Sequence, residues 1–278
     1  MTRRLIARAR GAGAALLVLV AVAACGQSTA AEPPSPGMLL WTGDLETGDL
    51  SQFQKTPWNT VGGPPPRVVE QPVRSGRYAI ELALVGATAP NDGICCGSRN
   101  EVEPKLRDFT EGEDLWFAFS TYLDADFPTY YADFQTIVQF KQNFDGSPPL
   151  EMTVEEGEFR IEGGYGHPDG PHLFRQAVGH ADKARWIDWI MHVKFSPDPA
   201  VSFVEVWRDG QLVLPRFAPP GGTMYVNPQD GSARSSVKTG YYRERSIDSI
   251  GRIYFDEWRI GTSVEVVRPS PKNDPSAP

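Results

Sequence analysis

Three short segments of this chain place polar side chains two or four residues apart, a spacing that puts them on one face of a β-strand. The pairs are Arg99 and Glu101, Gln139 and Lys141, and Lys238 and Tyr242. Together these side chains supply a phenolic proton, positive charge and an amide donor. Each pair alone is typical of the solvated face of a half-buried strand. The three together are equally consistent with a cleft that binds a glycan.

The segments that carry these side chains are predicted to be β-strands. Runs rich in aromatic and β-branched residues recur between turn signals. The runs cover residues 115–124, 136–142, 150–161, 186–195, 203–213, 238–245 and 252–261. Glu156-Gly157 and Asp209-Gly210 are predicted hairpin turns. The pattern favours an all-β fold, a jelly-roll sandwich of two antiparallel sheets over residues 38–267, instead of two small domains.

Residues 1–24 are predicted to be an export signal. Four arginines precede an uncharged stretch over residues 11–24, which is shorter than the roughly 20 residues that span a bilayer. The sequence Val22-Ala23-Ala24-Cys25-Gly26 resembles a bacterial lipobox. It predicts a diacylated Cys25 that anchors the chain to the outer face of the cell membrane, with no other membrane contact. An ordinary secretory signal, which would leave the chain secreted, is the alternative.

Two further segments have the composition of disordered chain. Residues 25–37 and residues 268–278 are rich in Ser, Ala and Pro and lack apolar periodicity. We predict a tether before the jelly roll and a tail after it.

Cys95 and Cys96 are adjacent in the sequence. Their Cα atoms are closer than an ordinary disulfide prefers. The sequence leaves two alternatives open, a strained vicinal disulfide and two thiols.

The charge of the chain is acidic. It has 35 Asp and Glu against 27 Lys and Arg, a net charge of −8, which becomes −12 when the four leader arginines are removed. This balance disfavours a nucleic-acid partner.

The order of several motifs resembles that of heparin lyase I-like polysaccharide lyases. The opening Gly43-Asp44-Leu45-Glu46-Thr47-Gly48 is similar to the start of that family. The stretch from Gln139 to Val213 and the ending from Lys238 to Gly261 are similar too. Related alginate and glucuronan lyases share a concanavalin A-like jelly roll. Their Arg-x-Glu and Lys-x-Gly-x-Tyr patterns match Arg99/Glu101 and Lys238/Gly240/Tyr242, whereas Lys141 stands where the His of Gln-x-His would be.

What the resemblance implies is β-elimination at a uronic acid. We expect a monomer that acts on an acidic polysaccharide and needs no cofactor for its chemistry. The carboxylate must be neutralised, the C5 proton removed and the departing oxygen protonated. Gln139 and Arg99 would bind the carboxylate, and Tyr242 would protonate the leaving oxygen. Lys141 is the base, or a fixed cation that leaves both proton transfers to Tyr242, or the mark of a site that only binds. The expected substrate-binding residues are Glu101, Lys238, Arg243, His167 and Trp58.

The same resemblance implies a structural calcium ion where the first and last strands meet. Asp44, Glu46 and Asp256 would supply the oxygen ligands. Solvated acids at turns are the alternative.

Three function classes remain open. The first is a surface-anchored lyase, which at this net charge favours a polyuronide or a lightly sulfated glycan over heparin. The second is a glycan-binding lipoprotein without catalysis. The third is a jelly-roll glycoside hydrolase that would use paired acids such as Glu101 and Glu103.

Overall fold

The computed structural model describes residues 37–54, 60–86 and 97–273. Within these ranges the chain forms seventeen strands and one short helix. The elements are β1 Leu39–Gly43, β2 Phe53–Gln54, β3 Thr60–Val61, β4 Arg67–Val69, β5 Ala79–Leu84, β6 Ser98–Pro104, β7 Phe109–Thr110, β8 Asp114–Leu123, β9 Gln135–Gln142, β10 Leu150–Glu155, β11 Glu158–Gly163, β12 Phe174–His180, β13 Trp186–Lys194, β14 Phe203–Arg208, β15 Gln211–Phe217, β16 Arg234–Arg243, β17 Gly251–Gly261 and α1 Val264–Val267. No described helix is long and apolar enough to cross a membrane.

The strands form two antiparallel sheets, as predicted. An eight-stranded sheet has the order β15-β14-β13-β8-β17-β5-β4, with β1 also pairing with β17. A nine-stranded sheet has the order β12-β11-β10-β9-β16-β6-β2, with β3 pairing with β6 and β7 with β16. The expected all-β jelly-roll sandwich is therefore confirmed. The pairing of β1 with β17 also confirms that the first and last strands are neighbours.

Both predicted hairpin turns are present. Glu156 and Gly157, between β10 and β11, have φ angles of 51° and 83°. Asp209 and Gly210, between β14 and β15, have φ angles of 48° and 80°. Two consecutive positive φ angles give a two-residue turn whose twist matches that of the strands it joins. Glycine in the second position accepts this conformation without steric cost.

Aromatic side chains fill the space between the two sheets. Phe117 of β8 meets Phe140 of β9 edge to face, with ring centroids 5.0 Å apart. Phe159 of β11 meets Trp189 of β13 at 5.0 Å. All four are fully buried, and burying each such ring contributes roughly 1.5–3 kcal/mol. This packing determines which face of each strand turns inward.

Alternation then exposes a second, polar face on β6, β9 and β16. Val102, Val138, Phe140 and Val237 belong to the core, so their sequence neighbours point away from it. The pairing of β9 with β16 is irregular between Val138 and Thr136, and the alternation of side chains changes there. Thr136 consequently pairs with Tyr242. We call the face of the nine-stranded sheet that turns away from the core the polar face.

Residues 268–273 correct the prediction of a disordered tail from residue 268 onward. The backbone N–H of Ser270 donates to Glu257 Oε2 at 2.8 Å, and that of Asn273 donates to the carbonyl of Arg74 at 3.0 Å. Lys272 Nζ lies 3.3 Å from Asp188 Oδ2. Composition alone did not reveal these partners, because they lie on strands and loops far away in the sequence. Residues 274–278 and 1–36 lie outside the described residues.

Candidate functional site

The three predicted polar segments are adjacent strands of the nine-stranded sheet, in the order β9-β16-β6. The register places their side chains opposite each other across β16. Tyr242 pairs with Arg99, and Gly240 pairs with Glu101. Lys238 pairs with Gln139. The six side chains singled out from sequence therefore share one region of the polar face.

Arg99 and Tyr242 stack on each other in this region. The guanidinium carbon of Arg99 lies 4.0 Å from the centroid of the Tyr242 ring, and Phe134 packs against the ring edge at 4.9 Å. Burial raises the pKa of Tyr242 above its ordinary value, while Arg99 acts to lower it. The phenol is therefore protonated at neutral pH, and a cation stands ready to stabilise the phenolate. Within the described residues, the buried Nε of Arg99 has no hydrogen-bond partner.

Glu101 and Gln139 are joined by a hydrogen bond across the same face. Gln139 Nε2 donates to Glu101 Oε1 at 2.5 Å, and both residues are buried. Burial raises the pKa of Glu101, while Lys238 and Arg99 oppose that rise. The bond fixes the orientation of the amide, since its nitrogen faces the carboxyl group. The amide oxygen and the second amide hydrogen are left for other partners.

Lys238 completes the centre of the region. Its Nζ lies 3.5 Å from Glu103 Oε1, and the residue is only 8% exposed. Because Lys238 affects the pKa of both Glu101 and Lys141, its charge acts on both neighbouring strands.

Lys141 lies at the end of β9, away from Tyr242. Its Nζ donates to the carbonyls of Phe144 at 2.5 Å and Gln142 at 3.3 Å. Lys141 pairs with Ser236, six residues before Tyr242 on β16, a separation of roughly 20 Å along the strand. Burial, followed by the charge of Lys238, lowers the pKa of Lys141 to about 8. The ammonium is thus held by backbone carbonyls at the strand end, while the charges of Lys238 and Arg99 still act on it.

A row of carboxyl groups that sequence reasoning missed continues across the polar face. Gln139 pairs with Glu151 on β10, Glu151 pairs with Glu162 on β11, and Glu162 pairs with Arg175 on β12. Glu151 Oε2 accepts a hydrogen bond from Thr136 Oγ1 at 2.7 Å. The signal was present in the sequence, because acids at positions 151 and 155 alternate with apolar residues in an otherwise buried strand.

The pKa values of this acidic row are shifted upward. Burial raises the pKa of Glu151 to about 8, opposed by the Thr136 hydrogen bond and supported by Glu162. Burial and Glu162 raise the pKa of Glu155 to about 7, and Arg175 and Arg160 oppose the rise. Arg175 Nε lies 2.7 Å from Glu162 Oε2, and its NH2 lies 3.2 Å from Glu155 Oε2. This side of the polar face is therefore acid-rich, with an arginine at its edge.

A groove of about 520 Å³ opens at the end of the sheet where Lys141 lies. Three connections form it, those between β9 and β10, β11 and β12, and β15 and β16. Its lining residues are Asn143, Phe144, Asp145, Gly166, Pro168, Asn227, Pro228 and Gln229. Lys141 holds one wall in place, since it binds the carbonyl of Phe144.

Arg243 is a correction to the predicted substrate-binding set. It follows Tyr242 directly, so it lies on the opposite face of β16, and it is fully buried. Its guanidinium donates to the carbonyl of Ser249 at 2.6 Å and to that of Gly86 at 3.1 Å. Arg243 therefore ties loops together inside the sandwich.

His167 lies in the β11–β12 connection and not on a strand of the polar face. Its ring contacts His172 at 4.3 Å and Tyr225 at 5.1 Å between centroids. Burial and the neighbouring His172 lower its pKa. Its chain neighbours Gly166 and Pro168 line the groove, so His167 supports that wall. Trp58, Cys25, Cys95 and Cys96 lie outside the described residues.

The predicted calcium ligands do not fit a metal site. Asp256 accepts hydrogen bonds from the backbone N–H groups of Arg74, Ser75 and Glu257. Glu46 accepts from the backbone of residues 77 and 78, and Asp44 accepts from Gln52 Nε2. Burial raises the pKa of Asp256 to about 7. Within the described residues no group of three or more His, Cys, Asp or Glu side chains could hold a metal ion.

Comparison with protein families gives one match. Residues 45–259 match the family model described as polysaccharide lyase. The matched range contains every strand that carries the site. No similar sequence was found among curated proteins.

Solved structures share the fold at low sequence identity. Endo-β-1,4-glucuronan lyase from the fungus Trichoderma reesei is 18% identical with a TM-score of 0.61, over 80% of this chain and 94% of that one. The cellulose-induced protein Cip1 is 14% identical with a TM-score of 0.54, over 80% and 97%. The catalytic domain of a glycoside hydrolase family 131 protein from Coprinopsis cinerea is 10% identical with a TM-score of 0.54, over 86% and 99%.

Proposed function

Because the chain belongs to the polysaccharide lyase family, we propose that it cleaves a polysaccharide at a uronic-acid unit by β-elimination on the polar face. The observation that carries this proposal is the stacking of Arg99 on Tyr242, next to Gln139 and Lys238 on the same face. A proton-transferring phenol and groups that bind a carboxylate are thus together. The name of the glucuronan lyase with the same fold supports a uronate substrate.

The carboxylate of the uronate is bound by the cationic part of this region. Removal of the C5 proton places negative charge on the adjacent carboxylate, so donors that strengthen with that charge lower the barrier. Arg99 offers a guanidinium with an unpartnered Nε among the described residues. Gln139 offers an amide, and Lys238 adds positive charge nearby. Glu101 is the positioning residue, because it holds the Gln139 amide.

Tyr242 carries out both proton transfers. The phenol first releases its proton to solvent, which Arg99 favours by stabilising the phenolate; the phenolate accepts the C5 proton, the C–H electron pair becomes the C4–C5 double bond, and the C4–O bond breaks. The phenol then returns the proton to the departing glycosidic oxygen. The products are an unsaturated uronate and a new hydroxyl end, so atoms and electrons balance without a co-reactant.

Of the three roles considered for Lys141, we propose the fixed cation. Its ammonium is held by two carbonyls at the end of β9, and its backbone pairs with Ser236, about 20 Å along β16 from the backbone of Tyr242. A base must come within hydrogen-bond distance of the proton that it removes. Lys141 therefore binds a carboxylate of a sugar further along the glycan.

The hydrolase alternative has less support from the site. It needs a carboxylic acid beside the scissile bond. Glu101 is held by Gln139, and Glu103 is paired with Lys238. The match to the polysaccharide lyase family favours the lyase over this alternative.

We also propose that the enzyme is exported and anchored through a lipid on Cys25. The arginine-rich start, the short apolar stretch and the Ala-Ala-Cys-Gly sequence support this. The active site would then face polysaccharide outside the cell.

Replacing Tyr242 by phenylalanine tests the proposal. The purified protein is incubated with a panel of uronate polymers, and the ultraviolet absorbance of the 4,5-unsaturated uronate is followed. We expect Tyr242→Phe to lower kcat by at least about 10²-fold, since one proton-transfer group contributes roughly 10²–10⁴.

Tyr122→Phe, the same substitution on the eight-stranded sheet, is the matched control and should keep full activity. Unsaturated product formed equally well by Tyr242→Phe would contradict the role of Tyr242. No unsaturated product from any polymer, with the glycan still bound, would favour the binding lipoprotein.

A further inference from the structure

The groove at the end of the sheet differs chemically from the region around Tyr242. Three of its lining residues carry amide side chains, Asn143, Asn227 and Gln229. Phe144 adds an aromatic ring. An amide both donates and accepts hydrogen bonds, so this lining suits the hydroxyl and acetamido groups of a sugar.

The charge of the groove also favours an uncharged sugar. Asp145 is its one charged lining residue among those described, and no Lys or Arg lines it. His167, behind Gly166 and Pro168, has a lowered pKa and adds no positive charge at neutral pH. Lys141 stands between the groove and the centre of the site, but its ammonium is tied to carbonyls of the groove wall.

The polar face beside the groove is rich in carboxyl groups. Glu151, Glu162 and Glu155 lie on β10 and β11, all less than 10% exposed. Arg160 and Arg175, on the same part of the sheet, are paired with these acids. The cations around Arg99, Lys238 and Lys141 therefore lie apart from a region in which acids and amides predominate.

We propose that the groove is a subsite for an uncharged sugar. The substrate is then a polymer in which uronates alternate with neutral or N-acetylated sugars. This inference rests on the proposed lyase function and deepens it. In a homopolyuronide every unit carries a carboxylate, so any register places an anion beside Asp145. In an alternating polymer the chain can place a uronate at Tyr242 and an uncharged unit in the groove.

A charge introduced into the groove tests the proposal. Gln229→Lys is compared with the unchanged protein on two unsulfated polymers, homopolymeric β-1,4-glucuronan and a polymer of alternating glucuronate and N-acetylhexosamine. Gln211→Lys, the same substitution at an exposed position on β15, is the matched control. Values of kcat/KM come from the unsaturated-uronate absorbance. Binding of oligosaccharides from both polymers to the Tyr242→Phe variant is measured by calorimetry.

We expect the unchanged protein to prefer the alternating polymer in both kcat/KM and binding. Gln229→Lys should shift the ratio toward glucuronan by about fivefold, the size of one exposed ion pair, and Gln211→Lys should not. Equal use of both polymers, with a ratio that Gln229→Lys leaves unchanged, would overturn the subsite. Absence of unsaturated product would contradict the lyase function alone, because the binding ratio still decides the subsite.

Discussion

Tyr242 and Arg99 show how two opposing effects set the chemistry of one side chain. Burial raises the pKa of the phenol, and the guanidinium stacked on its ring lowers it. In the proposed mechanism, the first effect keeps a proton available for the leaving oxygen, and the second stabilises the charge when that proton is absent. A tyrosine without its arginine neighbour would keep only the acid role.

At the residue scale, the alternation of side chains along a strand predicted most of the site. The same rule explains why Arg243 does not belong to it. Within each segment, the polar residues among Arg99, Glu101, Gln139, Lys238 and Tyr242 lie two or four positions from a polar partner and so share a strand face with it. Arg243 directly follows Tyr242 and therefore lies on the opposite face of the strand, so its inward position could have been predicted from the same rule. The acids at 151 and 162 were missed because a buried carboxyl group looks like any solvated one until its neighbours on adjacent strands are known.

Lys141 gives a prediction about charge and pH. Lys141→Met should raise KM with little change in kcat, because a fixed cation contributes binding and not proton transfer. Its pKa of about 8 means that the ammonium is present below pH 8 and is lost as the pH rises through that value. KM of the unchanged protein should therefore rise above about pH 8.

Lys141→Arg is the control for that experiment, since arginine stays charged at high pH. It should keep a low KM across the alkaline range. A loss of kcat by 10²-fold or more in both variants, with KM unchanged, would instead identify Lys141 as the base.

At the element scale, β16 is the strand that joins the two halves of the site. It pairs with β9 on one side and β6 on the other. Gly240 lies at the closest approach to β6, where an added Cβ would come within 2.2 Å of the Asn100 carbonyl oxygen and 2.7 Å of the Glu101 Cα. The Lys-x-Gly-x-Tyr spacing therefore has a steric reason, because glycine lets β6 bring Arg99 and Glu101 up to Tyr242 and Lys238.

Gly240→Ala should both destabilise the fold and reduce activity. Overpacking against backbone atoms costs roughly 1–3 kcal/mol, which for a domain of this size lowers the Tm by about 2–4 °C per kcal/mol. The displaced strand should also separate Arg99 from Tyr242, so kcat should fall. Thermal denaturation and the ultraviolet assay measure the two effects.

Gly210→Ala is the matched control for this strand. Gly210 also has a positive φ, but nothing lies within 4 Å of an added Cβ. It should cost about 1–2 kcal/mol for the left-handed conformation alone and leave kcat unchanged. Equal loss of activity in both variants would contradict the role given to the close approach of β16 and β6 at Gly240.

At the scale of the whole molecule, the two sheets have different roles. The nine-stranded sheet carries the polar face, whereas the eight-stranded sheet is joined to the chain end by an ionic network. Asp188 on β13 binds Arg74 at 2.8 Å and Lys272 at 3.3 Å. Glu257 on β17 binds Arg259 at 2.9 Å and the Ser270 backbone. Residues 268–273 therefore stabilise the eight-stranded sheet, which packs against the sheet that carries the site, and they do not contact the site itself.

Removing the residues after Val267 should lower the stability of the fold without changing catalysis. The loss of several hydrogen bonds, at about 0.5–1.5 kcal/mol each, should lower the Tm by several degrees. The kcat at 25 °C should stay within about twofold, because the site lies on the other sheet. Removing only residues 274–278 is the control and should change neither quantity. A truncated protein with unchanged Tm would show that these contacts contribute no net stability.

The sequence by itself predicted the strands from β8 to β11 and from β13 to β17, the two hairpin turns and the polar pairs, because alternation and turn preferences are local properties of the backbone. It also determined the acidic net charge and the export pattern. Only the tertiary structure decided that β6, β9 and β16 are neighbours, that Lys141 turns toward a loop, and that the predicted calcium ligands bind backbone N–H groups instead. These facts depend on register and packing between distant segments, and no local pattern specifies which strand pairs with which.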